Sequence, residues 1–233
     1  MPDFDILHPD KHAALKVNPH ALISENAQQS DTPLTPQEIT AAQKEYVIVF
    51  KKNAQTGEFY TCVLLGLANK ENLYLEGQTW QAHFKPATIA RGPFLIGMQE
   101  KDGKPYPVVG IDTQHIAVSK ETGTELFIDK DTPSTFTQNI NALLADLHIG
   151  IEQDKKMISA FLTHNLISAF SITVKRENQE ITVDKYYSIN QESLHNLSAD
   201  ALLSLNKAHF LQPAFFIADS LKNIENLAQL KKQ

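Results

Sequence analysis

Nine histidines invite a metal reading, and His8, His12 and His20 cluster near the start of the chain. His8 and His12 are four apart, so on a helix they would share a face, a spacing that zinc ligands often use. Pro9 lies between them and argues against a regular helix through both. Surface or packing roles are therefore the better reading. His83, His115, His148, His164, His195 and His209 are scattered without ligand spacing. Asp129 and Asp131, with Asp112 upstream, could bind a cation or act as an acid–base pair. The run Asp129–Lys130–Asp131–Thr132–Pro133 reads more simply as a turn leading into a helix, because short aspartate side chains bond the local backbone. Cys62 is the single cysteine. A reactive thiolate needs an electropositive, partly exposed setting, and Cys62 sits inside an apolar strand pattern. No metal-binding or catalytic residue is nominated.

Arg91 is weighed differently. The chain has only two arginines, Arg91 and Arg176, and Arg91 lies in Pro86–Ala87–Thr88–Ile89–Ala90–Arg91–Gly92–Pro93–Phe94. A forked guanidinium there could hold a carboxylate or phosphate through two hydrogen bonds. It could equally pin the turn by donating to carbonyls. Trp80, Tyr74, Phe84 and Phe94 form an aromatic set in the same stretch, and such sets are either core or recognition surface. Arg91, Trp80, Phe84 and Phe94 are the candidate ligand-binding residues.

The familiar reactive signatures are missing. The sequence has no G-x-G-x-x-G, no G-x-x-x-x-G-K-S/T, no G-x-S-x-G and no H-E-x-x-H. Lys and Arg number 21 against 27 Asp and Glu, a net charge of −6, which is a poor match for a nucleic-acid binder. One cysteine forms no disulfide within the chain. The start, Met1–Pro2–Asp3–Phe4–Asp5, has neither the basic region nor the apolar run of a secretory leader. The most apolar run, from Ala208 to Ala218, is broken by Gln212 and Pro213 and is too short to span a bilayer. The expectation is a cytoplasmic protein without membrane insertion, nucleic acid or cofactor.

The elements that would position these residues are legible in outline. Thr35, Pro36 and Glu38 form a capping box with proline at the first helical position, predicting a short helix to about Lys44. Tyr46 to Phe50 and Phe59 to Leu67 read as a hairpin across Asn53–Gly57. The unbroken apolar stretch Cys62–Leu65 predicts burial on both faces. Short strands follow at Asn72–Leu75, Thr79–Phe84, Pro93–Met98, Val108–Thr113 and His115–Ser119. After Asp131 two helical stripes appear, Phe136–Ile140–Leu143–Leu144–Leu147 and Met157–Ile158–Phe161–Leu162–Leu166, with Gly150 marking a bend or break between them. Phe170–Val174 and Glu180–Val183 predict a second hairpin across Glu177–Asn178–Gln179. Ser198 caps a helix from Ala199, and Pro213 to Leu230 reads as helical.

One set of segments carries a resemblance. Val63–Leu64–Leu65–Gly66–Leu67, Glu71–Asn72–Leu73–Tyr74–Leu75, Trp80, Pro86–Ala87, Ile89 and Arg91–Gly92–Pro93–Phe94 stand in the order and spacing of the SapC family of bacterial proteins. His12–Ala13–Ala14–Leu15–Lys16–Val17, Gly110–Ile111–Asp112, Glu125–Leu126–Phe127, Tyr187–Ser188–Ile189–Asn190 and Ser220–Leu221–Lys222–Asn223 continue it over most of the chain. The chain departs from the pattern where Gly92 replaces a frequent aromatic residue, and where no glycine precedes Lys185–Tyr186–Tyr187. The resemblance implies association with surface layers and proximity to tryptophan-halogenase-like proteins, and no catalytic set. The expected fold is α+β, with a largely antiparallel sheet in the middle of the chain and C-terminal helices and a small hairpin packed against it. Residues 1–132 form the β-rich part and 133–233 the helical part, together one compact family unit. The expected function is that of a non-catalytic accessory or binding protein. Its partner would be a halogenase-like enzyme or a surface-layer or export component. Alternatives are a small-molecule or peptide binder using the aromatic and arginine residues and, behind it, a metal-dependent or acid–base enzyme.

Overall fold

The computed structural model describes residues 4–22, 29–77, 79–101, 103–129, 132–176 and 179–231. Asp131, and Glu177 and Asn178 of the expected turn, lie outside them. In chain order the strands are β1 (Phe4–Ile6), β2 (Lys16–Val17), β3 (Asp31–Pro33), β4 (Ile48–Lys52), β5 (Phe59–Leu64), β6 (Leu75–Glu76), β7 (Thr79–Trp80), β8 (Phe94–Lys101), β9 (Lys104–Asp112), β10 (Val118–Ser119), β11 (Thr124–Glu125), β12 (Ile167–Arg176) and β13 (Gln179–Ile189). The α-helices are α1 (Pro9–His12), α2 (Ile39–Ala42), α3 (Ala87–Ala90), α4 (Thr135–Thr163), α5 (Gln191–His195), α6 (Ala199–Lys207), α7 (Leu211–Ser220) and α8 (Ile224–Leu230). The ladders described among β1–β5 and β8–β13 are antiparallel, and helices follow in the C-terminal part, so the fold is α+β. Among the described residues no helix is long and apolar enough to cross a membrane.

The chain divides into two units whose segments interleave. One comprises 1–26, 77–79 and 87–149, the other 27–76, 80–86 and 150–233. In the first, β9 lies between β1 and β8, and β2 lies between β10 and β11. Leu15, Val17, Phe94, Ile111, Leu126, Ile140 and Leu144 form its core, so the first helical stripe does bury as the periodicity requires.

The second unit is built on one five-stranded sheet in the order β12-β13-β4-β5-β3. Ile48, Val49 and Phe50 and the run Cys62–Leu65 are fully buried. That is the two-faced burial implied by their unbroken apolar sequence. The C-terminal hairpin is longer than its sequence signal, and it is continuous with this sheet through the Tyr187↔Phe50 pair. Between the Phe170↔Tyr186 and Ile172↔Val183 pairs, Asp184 and Lys185 oppose Ser171 alone. This is a β-bulge on the inner strand, and Lys185 takes a left-handed φ of +70° in it.

Gly150 does not break the helical region. Helix α4 is continuous through it over 29 residues. A Cβ at Gly150 would lie 2.5 Å from the Thr35 side chain. The glycine is there for close approach, and the helix continues because hydrogen bonding is unaffected by a missing side chain. Thr35 itself carries the capping box read from sequence, with Glu38 Oε2 accepting from its N–H at 2.9 Å and its hydroxyl at 2.8 Å. The Ser198 hydroxyl likewise accepts from Ala201 N–H at 3.3 Å. Helix α4 stops at Asn165, left-handed at φ +53°, with Leu166 N–H donating to the Phe161 carbonyl at 2.9 Å, a six-to-one helix stop. The helical C-terminus is two helices, α7 and α8, separated by a short 3₁₀ turn at Leu221–Asn223.

Candidate functional site

The sequence-nominated residues fall into two sets. Trp80 and Phe84 belong to the second unit, where they converge on Tyr46. The Tyr46 hydroxyl donates to the Phe84 carbonyl at 2.5 Å, and Trp80 Nε1 donates to Tyr46 Oη at 2.9 Å. Tyr74 lies 4.5 Å from Tyr46 and 6.0 Å from Trp80 between ring centroids. Glu45 accepts from the backbone N–H groups of His83 and Phe84 at 2.9 and 3.2 Å. Burial pushes the Tyr46 phenol far above its ordinary value. A buried tyrosine hydroxyl needs a hydrogen-bond partner, and here a main-chain carbonyl supplies it.

Arg91 and Phe94 belong to the first unit. Arg91 Nη1 donates to the Phe94 carbonyl at 2.5 Å. Burial lowers the pKa of the half-buried guanidinium. Phe94 is fully buried in the core, with its ring 6.0 Å from that of Phe136. His8 caps α1 and His12 is its last residue: His8 Nδ1 accepts from Asp10 N–H at 3.3 Å, and His12 Nδ1 accepts from His8 N–H at 3.1 Å. Pro9 occupies the first helical position, so the helix begins between the two histidines. Among the described residues no three His, Cys, Asp or Glu side chains are gathered as a metal site would need. Cys62 is fully buried, and burial first, then the charge of Asp31, pushes its thiol well above the usual range.

Two clefts in the second unit hold what sequence reading missed. The larger, about 440 Å³, is lined by Ser30, Lys51, the loop Gly66–Leu67–Ala68–Asn69 and the bulged segment of β13 from Thr182 to Tyr186. Beside it Asp31 Oδ2 accepts from Lys51 Nζ at 2.6 Å and from the Tyr186 hydroxyl at 2.7 Å. The Asp31 side chain is 9% exposed and that of Lys51 37%. A charged pair so placed is held by short charge-assisted hydrogen bonds. Burial and the hydrogen bond to Asp31 raise the Tyr186 pKa strongly. The smaller cleft, about 360 Å³, lies between α5 and α7 and is lined by Leu194, His195, Phe215, Ala218, Leu221 and Lys222, among others. None of the four sequence-nominated residues lines either cleft.

No curated protein and no solved structure matches this chain. A family model described as SapC matches residues 7–227. That span takes in the β-rich stretch and the C-terminal helices alike, and the chain belongs to the SapC family.

Proposed function

We propose that this chain is a non-catalytic binding protein that acts with a partner protein, a halogenase-like enzyme or a surface-layer or export component. The observation that carries the reading is Phe215. It stands 46% exposed at the smaller cleft, with buried Leu194 and Ala218 beside it. Exposed aromatic side chains over apolar clefts are the usual anchors of protein interfaces. The flanking Asp219 and Lys222 pair with each other at 2.6 Å. Three groups able to do chemistry, by contrast, are held by the fold: Cys62 is buried, Asp154 is bonded to Thr61, and Arg91 gives one donor to Phe94. The test is capture from the native host by the wild-type chain and by a Phe215→Asp variant, read by mass spectrometry. One of these two partner classes held by the wild type and lost by the folded variant is the expected result. Equal recovery from both, or none from either, removes the reading.

A second reading, binding of a small molecule or peptide, is supported by the larger cleft. Its volume falls in the ligand range of about 300–1,000 Å³. Lys51 and Tyr186 put a cation and a hydroxyl at its wall. A thermal-shift screen with carboxylates, phosphates and short peptides checks it, with Lys51→Ala as the control. The same screen on Trp80→Phe, Phe84→Leu, Phe94→Leu and Arg91→Lys variants tests the ligand role expected of those residues. No ligand-induced shift in any of these chains counts against this reading.

A further inference from the structure

The five-stranded sheet of the second unit ends on one side at β12. β12 ends the strand order and pairs on one side only, with β13. Among the described residues no backbone hydrogen bond reaches its other side, although α8 packs nearby. An open edge is a template for another strand, and proteins ordinarily blunt it with proline, charge, a bulge or shortness. β12 has ten residues and no proline. Its two charged positions, Lys175 and Arg176, come last, and the bulge lies on the inner strand β13. Before them large apolar residues alternate with small ones. Ala169, Ser171 and Thr173 are exposed, while Phe170, Ile172 and Val174 are half-buried on the opposite face.

We propose that β12 pairs antiparallel with β12 of a second copy of this chain, about a two-fold axis at Ile172, joining two sheets into one. Register argues for this occupant. A two-fold axis normal to the sheet returns each face to itself, so only residues of like parity can stand opposite one another. With the axis at Ile172, that residue meets its own copy, Phe170 meets Val174, and Ser171 meets Thr173. Lys175 meets Ala169, and Arg176 meets Ser168. Apolar residues then oppose apolar ones on the half-buried face, hydroxyls oppose hydroxyls on the exposed face, and no like charges are opposed. An axis one residue earlier would set Val174 against Ser168. Self-matching of this kind is what an isologous contact requires, and a strand from an unrelated partner would match it only by coincidence.

Sedimentation velocity on the full chain, from micromolar to hundred-micromolar concentration, tests the pairing. A reversible monomer–dimer equilibrium is expected. S171K/T173K opposes lysines at two places across the axis and is expected to weaken the dimer at least tenfold. S171E/T173K opposes unlike charges at the same two places and is expected to tighten it. Both variants lose the exposed Thr173–Thr182 hydroxyl contact, so their difference isolates the intermolecular pairing, and circular dichroism confirms that each is folded. Amide hydrogen exchange gives a second reading: β12 amides are protected at high concentration and lose protection on dilution. A chain that stays monomeric, or a dimer that both double variants shift in the same direction or not at all, overturns the proposal. The outcome is independent of Phe215, so the partner reading stands or falls separately.

Discussion

Asp154 gives the sharpest test of the second unit's interior. It lies on α4 at 7% exposure and holds Thr61 of β5 twice: Oδ1 accepts from the Thr61 hydroxyl at 2.6 Å and Oδ2 from the Thr61 N–H at 3.0 Å. Burial pushes its carboxyl up from 3.8 to about 6, against the lowering effect of both hydrogen bonds. The folded chain therefore keeps this proton at pH values where the unfolded chain has released it. The resulting stabilisation is fully present below the unfolded value and is lost as pH rises through about 6. A shift of about two units corresponds to roughly 3 kcal/mol over the whole range, of which about 2 kcal/mol falls between pH 4 and pH 7. Other carboxylates and the histidines titrate in the same window. The quantity to measure is thus the wild-type stability minus that of Asp154→Asn, which cannot titrate and still offers one acceptor and one donor to Thr61. Urea denaturation followed by circular dichroism at pH 4, 5, 6 and 7 supplies it. The difference should move in favour of the wild type by about 2 kcal/mol on going from pH 7 to pH 4. A difference that is flat across the four pH values, or that moves the other way, would refute the assignment of this burial to Asp154.

Three further outcomes are expected. Gly150→Ala should destabilise by about 1–3 kcal/mol in the same denaturation assay, because the new methyl group meets Thr35; helix propensity alone would favour the substitution by about 1 kcal/mol, so the sign decides between them. Lys185→Gly should stabilise by up to about 1 kcal/mol, since relief of the left-handed backbone at φ +70° exceeds the added freedom of the unfolded chain; a lower urea midpoint would argue against it. Asp31→Asn should cost about 1–3 kcal/mol by leaving Lys51 and the Tyr186 hydroxyl with a weaker acceptor, and Tyr186→Phe should cost less, because it removes donor and demand together.

Local signals carried most of the fold. The capping box at Thr35, the Ser198 cap and the apolar runs at Ile48–Phe50 and Cys62–Leu65 each act over a few residues, and each formed as its local chemistry dictates. Gly150 was misleading because glycine weakens a helix on average, while this glycine answers to a side chain more than a hundred residues away in sequence. The hairpin at β12 and β13 was legible as two strands. Its place in the sheet depends on the Tyr187↔Phe50 pair, and nothing in either strand alone names that neighbour.

The polar cleft shows why candidate sites were harder to read than elements. Asp31 stands in the polar run Ser30–Asp31–Thr32–Pro33, which shows no apolar alternation, yet residues 31–33 form an edge strand against β5. Lys51 stands one residue before the end of β4, and Tyr186 follows the bulge of β13. Their convergence on one carboxylate oxygen is a product of sheet order, since separations of 20 and 155 residues leave no spacing to detect. Arg91 and the aromatic residues drew attention because their types are informative wherever they stand. Type, however, does not say whether a donor is free. Trp80, Tyr46 and Arg91 each direct an N–H or O–H to a main-chain carbonyl or to one another. Trp80 and Tyr46 have one donor each and must give it up to greet a ligand as donors, at a cost of about 1 kcal/mol, whereas the Phe94 carbonyl takes one of the five N–H donors of Arg91. Phe215 forfeits no hydrogen bond on being covered, and for that reason the cleft it borders is the stronger place to look for a partner.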